Sequence, residues 1–173
     1  MYQQSKHRYC GATRVGLRRG FTAIELVVAM AIAAILVAMA GPSFVDLISA
    51  QRVKTATFDF FAALALARSE AIKRNTVVDI APRNGDFANG WDIRVGGTVL
   101  SSRLGLGAVA ISVPAGVTLA YDQDGRLTSS GRYEARLMAL GNVNAATRCV
   151  IVDPAGRPSI RIDANRDGNC FNG

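Results

Sequence analysis

The sequence predicts an α+β protein in which a long N-terminal helix packs on a small antiparallel β-sheet domain, with the first half of the helix spanning a membrane. Three observations predict this fold. Residues 26–45 carry no charge, apolar residues then recur every three or four positions as far as Arg74, and β-rich runs follow Asn75. The expected divisions are a leader at 1–20, a membrane half of the helix at 21–48, an amphipathic half at 49–74 and a head at 75–173.

The leader is strongly basic. Residues 1–20 contain five lysine and arginine residues and no acidic residue. Positive charge on one flank of an apolar segment keeps that flank in the cytoplasm. Without the leader the chain has 15 basic and 13 acidic residues, so its net charge falls from +7 to +2. The high basicity therefore gives no general reason to expect nucleic-acid binding.

The apolar segment after the leader is long enough to cross a bilayer. Twenty uncharged residues, at about 1.5 Å rise per residue, match a hydrocarbon core about 30 Å thick. No secretory cleavage site follows it. The alternatives are a buried core helix and an uncleaved signal anchor of no special role. Because proline removes a backbone donor, we expect Gly41 and Pro42 to kink this helix or to divide it in two.

Glu25 is the single charged residue between Arg19 and Asp46. An ionisable group at the edge of a membrane segment usually has a partner. If the chain were cut after Gly20, Phe21 would carry a free amine about one helical turn from Glu25. The terminal amine of a neighbouring subunit would then suit the carboxylate. The alternative is a side chain that extends to the lipid headgroups.

The second half of the helix is amphipathic. Apolar residues recur at intervals of three and four, while charged residues such as Arg52, Asp59 and Lys73 occupy the other faces. This half is therefore expected to pack on the β domain. The predicted apolar stripe comprises Phe44, Leu47, Ile48, Val53, Ala56, Phe60, Leu64 and Ile72.

Short runs beyond the helix suit the strands of an antiparallel sheet. Gly96-Gly97 between two runs predicts a hairpin, and Asp124-Gly125 and Ala155-Gly156 predict turns, the second of them followed by another strand. The predicted strands are 76–80, 91–95, 98–100, 117–121, 135–140, 149–152 and a last one ending near Arg161.

The histidine and cysteine positions restrict the chemistry. His7 and Cys10 lie in the leader, so the rest of the chain has no histidine and keeps Cys149 and Cys170. The common Ser-His, Cys-His and His-metal sites are therefore excluded, which leaves carboxylate or lysine chemistry, and we expect no enzyme, no cofactor and no metal. In an oxidising compartment the two cysteines are expected to form a disulfide, whose loop of about twenty residues contributes roughly 3 kcal/mol.

The run Arg19-Gly20-Phe21-Thr22-Ala23-Ile24-Glu25 resembles the class III signal of type IV pilins and type II secretion pseudopilins. The resemblance implies that a prepilin peptidase cuts after Gly20 and methylates Phe21, and that Glu25 sets the register between stacked subunits. Ala23 departs from the leucine common there. The resemblance also implies a pilin-like fold, a single pass through the bacterial inner membrane and a periplasmic head. The implied partners are other pilins or pseudopilins, in a pilus or pseudopilus.

Residues 149–161, which read as strand, turn and strand, resemble the ending of the FimT and GspH group of minor pilins. This resemblance implies a minor pilin that takes part in the assembly or priming of a type IV pilus. The alternative is the GspH-type pseudopilin of a type II protein secretion system. Leader and helix are shared by both, so the sequence does not separate them.

Some FimT-like proteins bind DNA for uptake through a Gly-Arg-x-Arg segment at this place. Here the second arginine is displaced by two positions, in Gly156-Arg157-Pro158-Ser159-Ile160-Arg161. Arg157 and Arg161 would share one face of a strand if Arg157 is extended, and Arg166 would join them from the following loop. A membrane-tethered DNA-binding competence module is therefore a third hypothesis. Three nearby carboxylates would reduce the attraction of these arginines for phosphate: Asp153, Asp163 and Asp167.

Residues 163–168 match the opening of a calcium-binding loop, with alternating oxygen side chains followed by a glycine. The acidic ligand of the twelfth position would fall one residue beyond Gly173. The interpretation favoured by the sequence is therefore an Asx-type turn, tightened by the Cys149–Cys170 bridge.

Overall fold

The computed structural model describes residues 20–114, 118–129, 131–168 and 170, without the side chains of residues 40–42. The chain divides into two compact units, with the boundary between Ala40 and Gly41. The remainder of the leader and Val117 lie outside the described residues. The kink expected at Gly41 and Pro42 and the domain boundaries stay predictions.

One long helix, α1, runs from Ala23 to Arg74. It ends where the sequence predicted, and Asn75 follows in the left-handed conformation with φ of 51°, which is a common way to terminate a helix. The long helix and the antiparallel β domain that follows it confirm the predicted fold class.

The part of α1 that belongs to the second unit buries a stripe of mostly small residues. Val53, Phe60 and Leu64 are fully buried as predicted, and Ala56 is nearly so. The expectation was wrong for Phe44, Leu47, Ile48 and Ile72, which are about half exposed or more. The stripe instead continues through Ala63, Ala67 and Ala71. Alanine brings the helix backbone close to the sheets, so the buried face follows the small residues.

Within the described residues, eight strands form two four-stranded antiparallel sheets, where the sequence predicted one. The first sheet has the order β3-β2-β1-β5, and the second β4-β6-β7-β8. Two short 3-10 turns, Arg83–Gly85 and Phe87–Asn89, join β1 to β2. The strands are β1 Val78–Pro82, β2 Gly90–Val95, β3 Thr98–Leu104, β4 Val109–Ser112, β5 Leu119–Tyr121, β6 Tyr133–Ala139, β7 Arg148–Val152 and β8 Pro158–Ile162.

The predicted turns are confirmed. Gly96 and Gly97 join β2 to β3 with positive φ angles of 53° and 85°, which glycine adopts without strain. Strand β4, with alternately buried Val109 and Ile111, has no counterpart in the prediction. The predicted bond between Cys149 and Cys170 is present, and both residues are fully buried.

The larger apolar core among the described residues lies between α1 and both sheets. A small second cluster contains Cys149, Ile151 and Cys170. Phe60 of the helix contacts Phe87 and Trp91 edge-on, with ring centroids 5.5 and 5.2 Å apart. Edge-to-face packing of this kind adds to the stabilisation from burial alone. These contacts fix the head against the second half of the helix.

Arg68 of α1 joins the helix to two turns at one end of the head. Its Nε donates to the carbonyl oxygen of Gly125 at 2.9 Å, and its terminal nitrogen donates to that of Ala155 at 3.3 Å. The two turns also touch each other, because a Cβ on Gly156 would collide with the Gly125 carbonyl. The side chain of Arg68 therefore holds three chain segments together.

Candidate functional site

The N-terminus of α1 is capped by a reciprocal pair of contacts. The amide of Glu25 donates to Thr22 Oγ1 at 3.3 Å, and the amide of Thr22 lies 3.5 Å from Glu25 Oε2. This arrangement is a capping box, in which two helix-end donors find acceptors. No role was predicted for Thr22, although Thr-x-x-Glu before an apolar run is the usual signature of the motif.

Glu25 stands alone in an apolar surface. The large hydrophobic side chains from Phe21 to Met39 are between 50% and 82% exposed in the first unit. They point in every direction around the helix, so no face is covered by the described chain. An apolar surface of this extent marks contact with lipid or with other protein chains.

By length and hydropathy, no single helix among the described residues qualifies alone as a membrane span. Two parts of α1, Ala23–Met39 and Ser43–Arg74, meet that criterion when they are taken together.

The three predicted arginines lie in a turn, a strand and a loop. Arg157 lies in the turn before β8, and Arg161 lies within β8 opposite Cys149. Arg166 lies in the following loop, and its guanidinium donates to the Asn144 carbonyl at 3.0 Å. Ser159 and Arg161 are exposed on the same face of β8, as strand alternation requires. Arg157 and Arg161 are about 13 Å apart along an extended chain.

The charge of Arg157 is offset by its own turn. Its Nε donates to Asp153 Oδ2 at 2.9 Å, and its backbone amide donates to Asp153 Oδ1 at 2.9 Å. The backbone hydrogen bond first, and then the guanidinium, hold the pKa of Asp153 below its ordinary value. The carboxylate therefore stays charged beside Arg157 and weakens its attraction for phosphate.

The same turn occurs twice. Residues 122–126 and 153–157 both read Asp-x-x-Gly-Arg. In each, the glycine amide donates to the aspartate carbonyl, at 2.9 and 2.8 Å, and the aspartate side chain accepts from the arginine amide at 2.9 Å. These are the two turns that Arg68 joins. The aspartates therefore have a structural role in the turns, which the sequence analysis missed although the repeated pattern was visible.

The loop after β8 brings Asp163 into the protein interior. Its Oδ2 accepts a hydrogen bond from the Gly168 amide at 2.8 Å, and the residue is 1% exposed. Among the described residues, no group of three or more His, Cys, Asp or Glu side chains is placed to share a metal ion. The contact in this loop that matches the expected Asx-type turn is between the Asp167 amide and Asn165 Oδ1, at 3.5 Å.

Comparisons with known proteins agree with this architecture. The family described as type II transport protein GspH matches residues 56–156, and the prokaryotic N-terminal methylation motif matches residues 17–41. No curated protein sequence matches the chain significantly.

Two crystal structures of the type IV minor pilin FimU from Pseudomonas aeruginosa have a similar fold. One has a TM-score of 0.56 at 21% identity and covers 64% of this chain and 88% of FimU. The other has a TM-score of 0.53 at 22% identity and covers 62% of this chain and 90% of FimU. At this level of identity the likeness concerns the fold.

These features define a pilin-like protein. Its helix begins at a methylation motif and has an exposed apolar first part, and an antiparallel head follows the helix. Since the matched residues 56–156 are more than half of the 173 residues, the chain belongs to the GspH family of minor pilins and pseudopilins. This family is structural rather than enzymatic. Membership implies processing by a prepilin peptidase, assembly with other pilins or pseudopilins, and a membrane-anchored helix that carries a periplasmic head.

Proposed function

We propose that this protein is a minor pilin that helps to initiate assembly of a type IV pilus. The exposure of the apolar surface between Phe21 and Met39 carries the proposal. Lipid of the inner membrane covers this surface in the separate subunit, and the helices of other pilins cover it in the filament. The same helix therefore serves first as an anchor and then as the assembly element.

Glu25 is proposed as the residue that sets the register between subunits. In the separate chain its carboxylate meets the Thr22 amide at 3.5 Å, which is a long and weak contact. Cleavage after Gly20 would place a positive amine on Phe21. The amine of a neighbouring subunit is a stronger partner for the carboxylate than a backbone amide, because the amine carries a full positive charge and the amide is neutral.

The mature N-terminus tests the processing step. Mass spectrometry of the protein from cells with an active prepilin peptidase is expected to find a chain that begins at N-methylated Phe21. Retention of residues before Phe21 in those cells would overturn the assignment of Gly20 and Phe21.

The register role is tested with Glu25→Gln. Glutamine preserves the capping box but removes the charge. Because loss of one partner of a desolvated charge pair costs about 2–5 kcal/mol, incorporation into filaments is expected to fall at least tenfold. Quantitative immunoblotting of sheared filaments measures this, with unfolding of the head as a control that stays unchanged. Thr22→Ala removes the cap and keeps the charge, so an equal loss in that variant would contradict the role of the charge.

A pseudopilin of a type II secretion system is the second candidate, supported by the description of the matching family as a type II transport protein. Deletion of the gene separates the two. The pilus proposal expects loss of surface pili with normal secretion, measured by electron microscopy and by assay of secreted proteins in the medium. Accumulation of those proteins in the periplasm, with normal piliation, would support the secretion role instead.

Binding of DNA through Arg157, Arg161 and Arg166 stays a prediction, and the pairing of Arg157 with Asp153 reduces its support. If the patch binds DNA, fluorescence anisotropy with the full chain in detergent micelles will detect affinity that falls as salt rises. The double variant Arg157→Ala, Arg161→Ala is then expected to lose it, whereas Arg52→Ala, on the helix, is expected to bind as the wild type does. Unchanged binding in the double variant would eliminate this patch.

A further inference from the structure

The loop that follows β8 has alternating oxygen-bearing side chains. Asp163, Asn165 and Asp167 occupy its first, third and fifth positions, and Gly168 occupies the sixth. The Gly168 amide donates to Asp163 Oδ2 at 2.8 Å, so the Asp163 carboxylate is turned into the loop. Gly168 has a φ of 80°, which allows the chain to turn back at this position.

The second oxygen of the same carboxylate lacks a hydrogen-bond donor. Asp163 is 1% exposed, and its Oδ1 has no hydrogen-bond partner among the described residues. A buried carboxylate oxygen without a donor or a cation is strongly disfavoured. A cation bound within this loop would compensate for the cost of burying this oxygen.

Both ends of the loop are held in place. The Asp163 amide donates to the carbonyl oxygen of Thr147 at 3.0 Å. At the other end, Cys170 is bonded to Cys149 of β7. These two attachments limit how far the loop can open.

The charged side chain at the centre of the loop is directed elsewhere. The guanidinium of Arg166 donates to the carbonyl oxygen of Asn144 at 3.0 Å, and that residue lies outside the loop. The amide nitrogen of Asn165 donates to Asp167 Oδ2 at 3.0 Å. In that contact the partial positive charge of the amide faces the carboxylate. A cation between the two side chains would take the place of this amide contact.

We propose that residues 163–168 bind a calcium ion through Asp163 Oδ1, the side-chain oxygen of Asn165 and the carboxylate of Asp167. All three ligands are hard oxygen donors, which suit Ca²⁺ and not the softer transition metals. With two carboxylates the site is expected to be weak, with a Kd of about 10⁻⁴–10⁻³ M, as in extracellular modules. The site is independent of the proposed role in pilus assembly, and it departs from the expectation that the chain holds no metal.

Calorimetric titration of the full chain in detergent micelles with CaCl₂ tests this site. The wild type is expected to bind one ion in the range stated, and MgCl₂ is expected to bind at least about tenfold more weakly. Asp167→Asn and Asp163→Asn are each expected to weaken calcium binding about tenfold or more, because each removes one of the two carboxylates. The matched control is Asp124→Asn, which removes the same charge from an exposed turn and is expected to bind as the wild type does.

Absence of saturable heat for the wild type at calcium concentrations of about 10 mM would overturn the site, since that is well above the expected Kd. Binding by Asp167→Asn that equals that of the wild type would also overturn it. If Asp163→Asn fails to fold, as circular dichroism would reveal, the more exposed Asp167→Asn variant decides the result alone.

Discussion

The two parts of α1 differ in what covers their apolar side chains. Between Phe21 and Met39 the large hydrophobic residues are exposed on all sides, whereas between Val53 and Ala71 a stripe is buried in the core of the head. Burial in the later part is supplied by the chain itself and stabilises the fold. Burial in the earlier part has to come from lipid or other subunits. Substitutions in the two parts should therefore change different properties.

The largest effect is expected for Phe60→Ala. Phe60 is fully buried and packs edge-on against Phe87 and Trp91. Removing such a ring leaves a cavity and costs about 3–5 kcal/mol of unfolding free energy. Chemical denaturation of the full chain in micelles measures this loss, with Trp91, the single tryptophan, as the fluorescent probe.

Two matched variants sharpen that comparison. Phe58→Ala lies two residues earlier on the same helix, where the ring is 51% exposed, and is expected to change the unfolding free energy by no more than about 0.5 kcal/mol. Leu36→Ala, in the earlier part of α1, should leave unfolding of the head unchanged. A loss for Leu36→Ala as large as that for Phe60→Ala would contradict the division of the helix into two roles.

The periodic part of the fold was predictable because it depends on local signals. The end of α1 near Arg74, the hairpin at Gly96-Gly97 and the paired strands around Ala155-Gly156 follow from helix period, strand period and turn residues. The exposure of Phe44 and Ile72 was not predictable in the same way. Which face of an amphipathic helix is buried depends on where the sheets lie, and these sheets approach the alanine positions.

The number of sheets depends on pairing between distant segments. Strand β5 pairs with β1, and β4 pairs with β6, so sequence neighbours are not always neighbours in the sheet. A single sequence carries little information about such pairings. Strand β4 was also missed because its four residues include only two large apolar side chains, Val109 and Ile111.

The site residues also differ in whether a local pattern or the folded structure reveals their role. The roles proposed for Gly20, Phe21 and Glu25 rest on a local motif that the sequence displays fully. Thr22 belongs to the same motif, and its capping role was readable from the spacing to Glu25. By contrast, the orphaned oxygen of Asp163 emerges only when the loop is folded against the head, because its burial is set by residues that are distant in sequence.

An intermediate effect is expected for Arg68→Ala, which tests whether the later part of α1 also holds the turns. The substitution removes the hydrogen bonds to the carbonyl oxygens of Gly125 and Ala155. Loss of these bonds from a partly buried site should cost about 1–3 kcal/mol of unfolding free energy. Thermal or chemical unfolding measures the change.

The control for Arg68→Ala is Arg52→Ala, which removes an exposed arginine from the same helix and is expected to change stability by no more than about 0.5 kcal/mol. Equal effects of the two substitutions would mean that Arg68 contributes only its positive charge and not its hydrogen bonds. The helix would then hold the turns through apolar contacts alone.

The smallest effect is expected for Asp153→Asn, in the turn that Arg68 holds. The pKa of Asp153 is lowered from its ordinary value of 3.8, first by the backbone amide of Arg157 and then by its guanidinium. A lowered folded-state pKa contributes stability that is present above pH 3.8 and is lost as the pH falls through the folded value. Since the side chain of Asp153 is 32% exposed, that contribution should be below about 1 kcal/mol.

Denaturant unfolding at pH 7 and at about pH 2.5, on either side of the ordinary range for aspartate, measures the contribution of Asp153. Asp153→Asn should be less stable than the wild type at the higher pH, and the gap should narrow at the lower one. Arg157→Ala keeps the backbone amide and should therefore retain part of the pH dependence. If Arg157→Ala abolished it instead, the ion pair and not the turn would be what holds Asp153 charged, and Arg157 would be firmly committed to Asp153 rather than available to a phosphate.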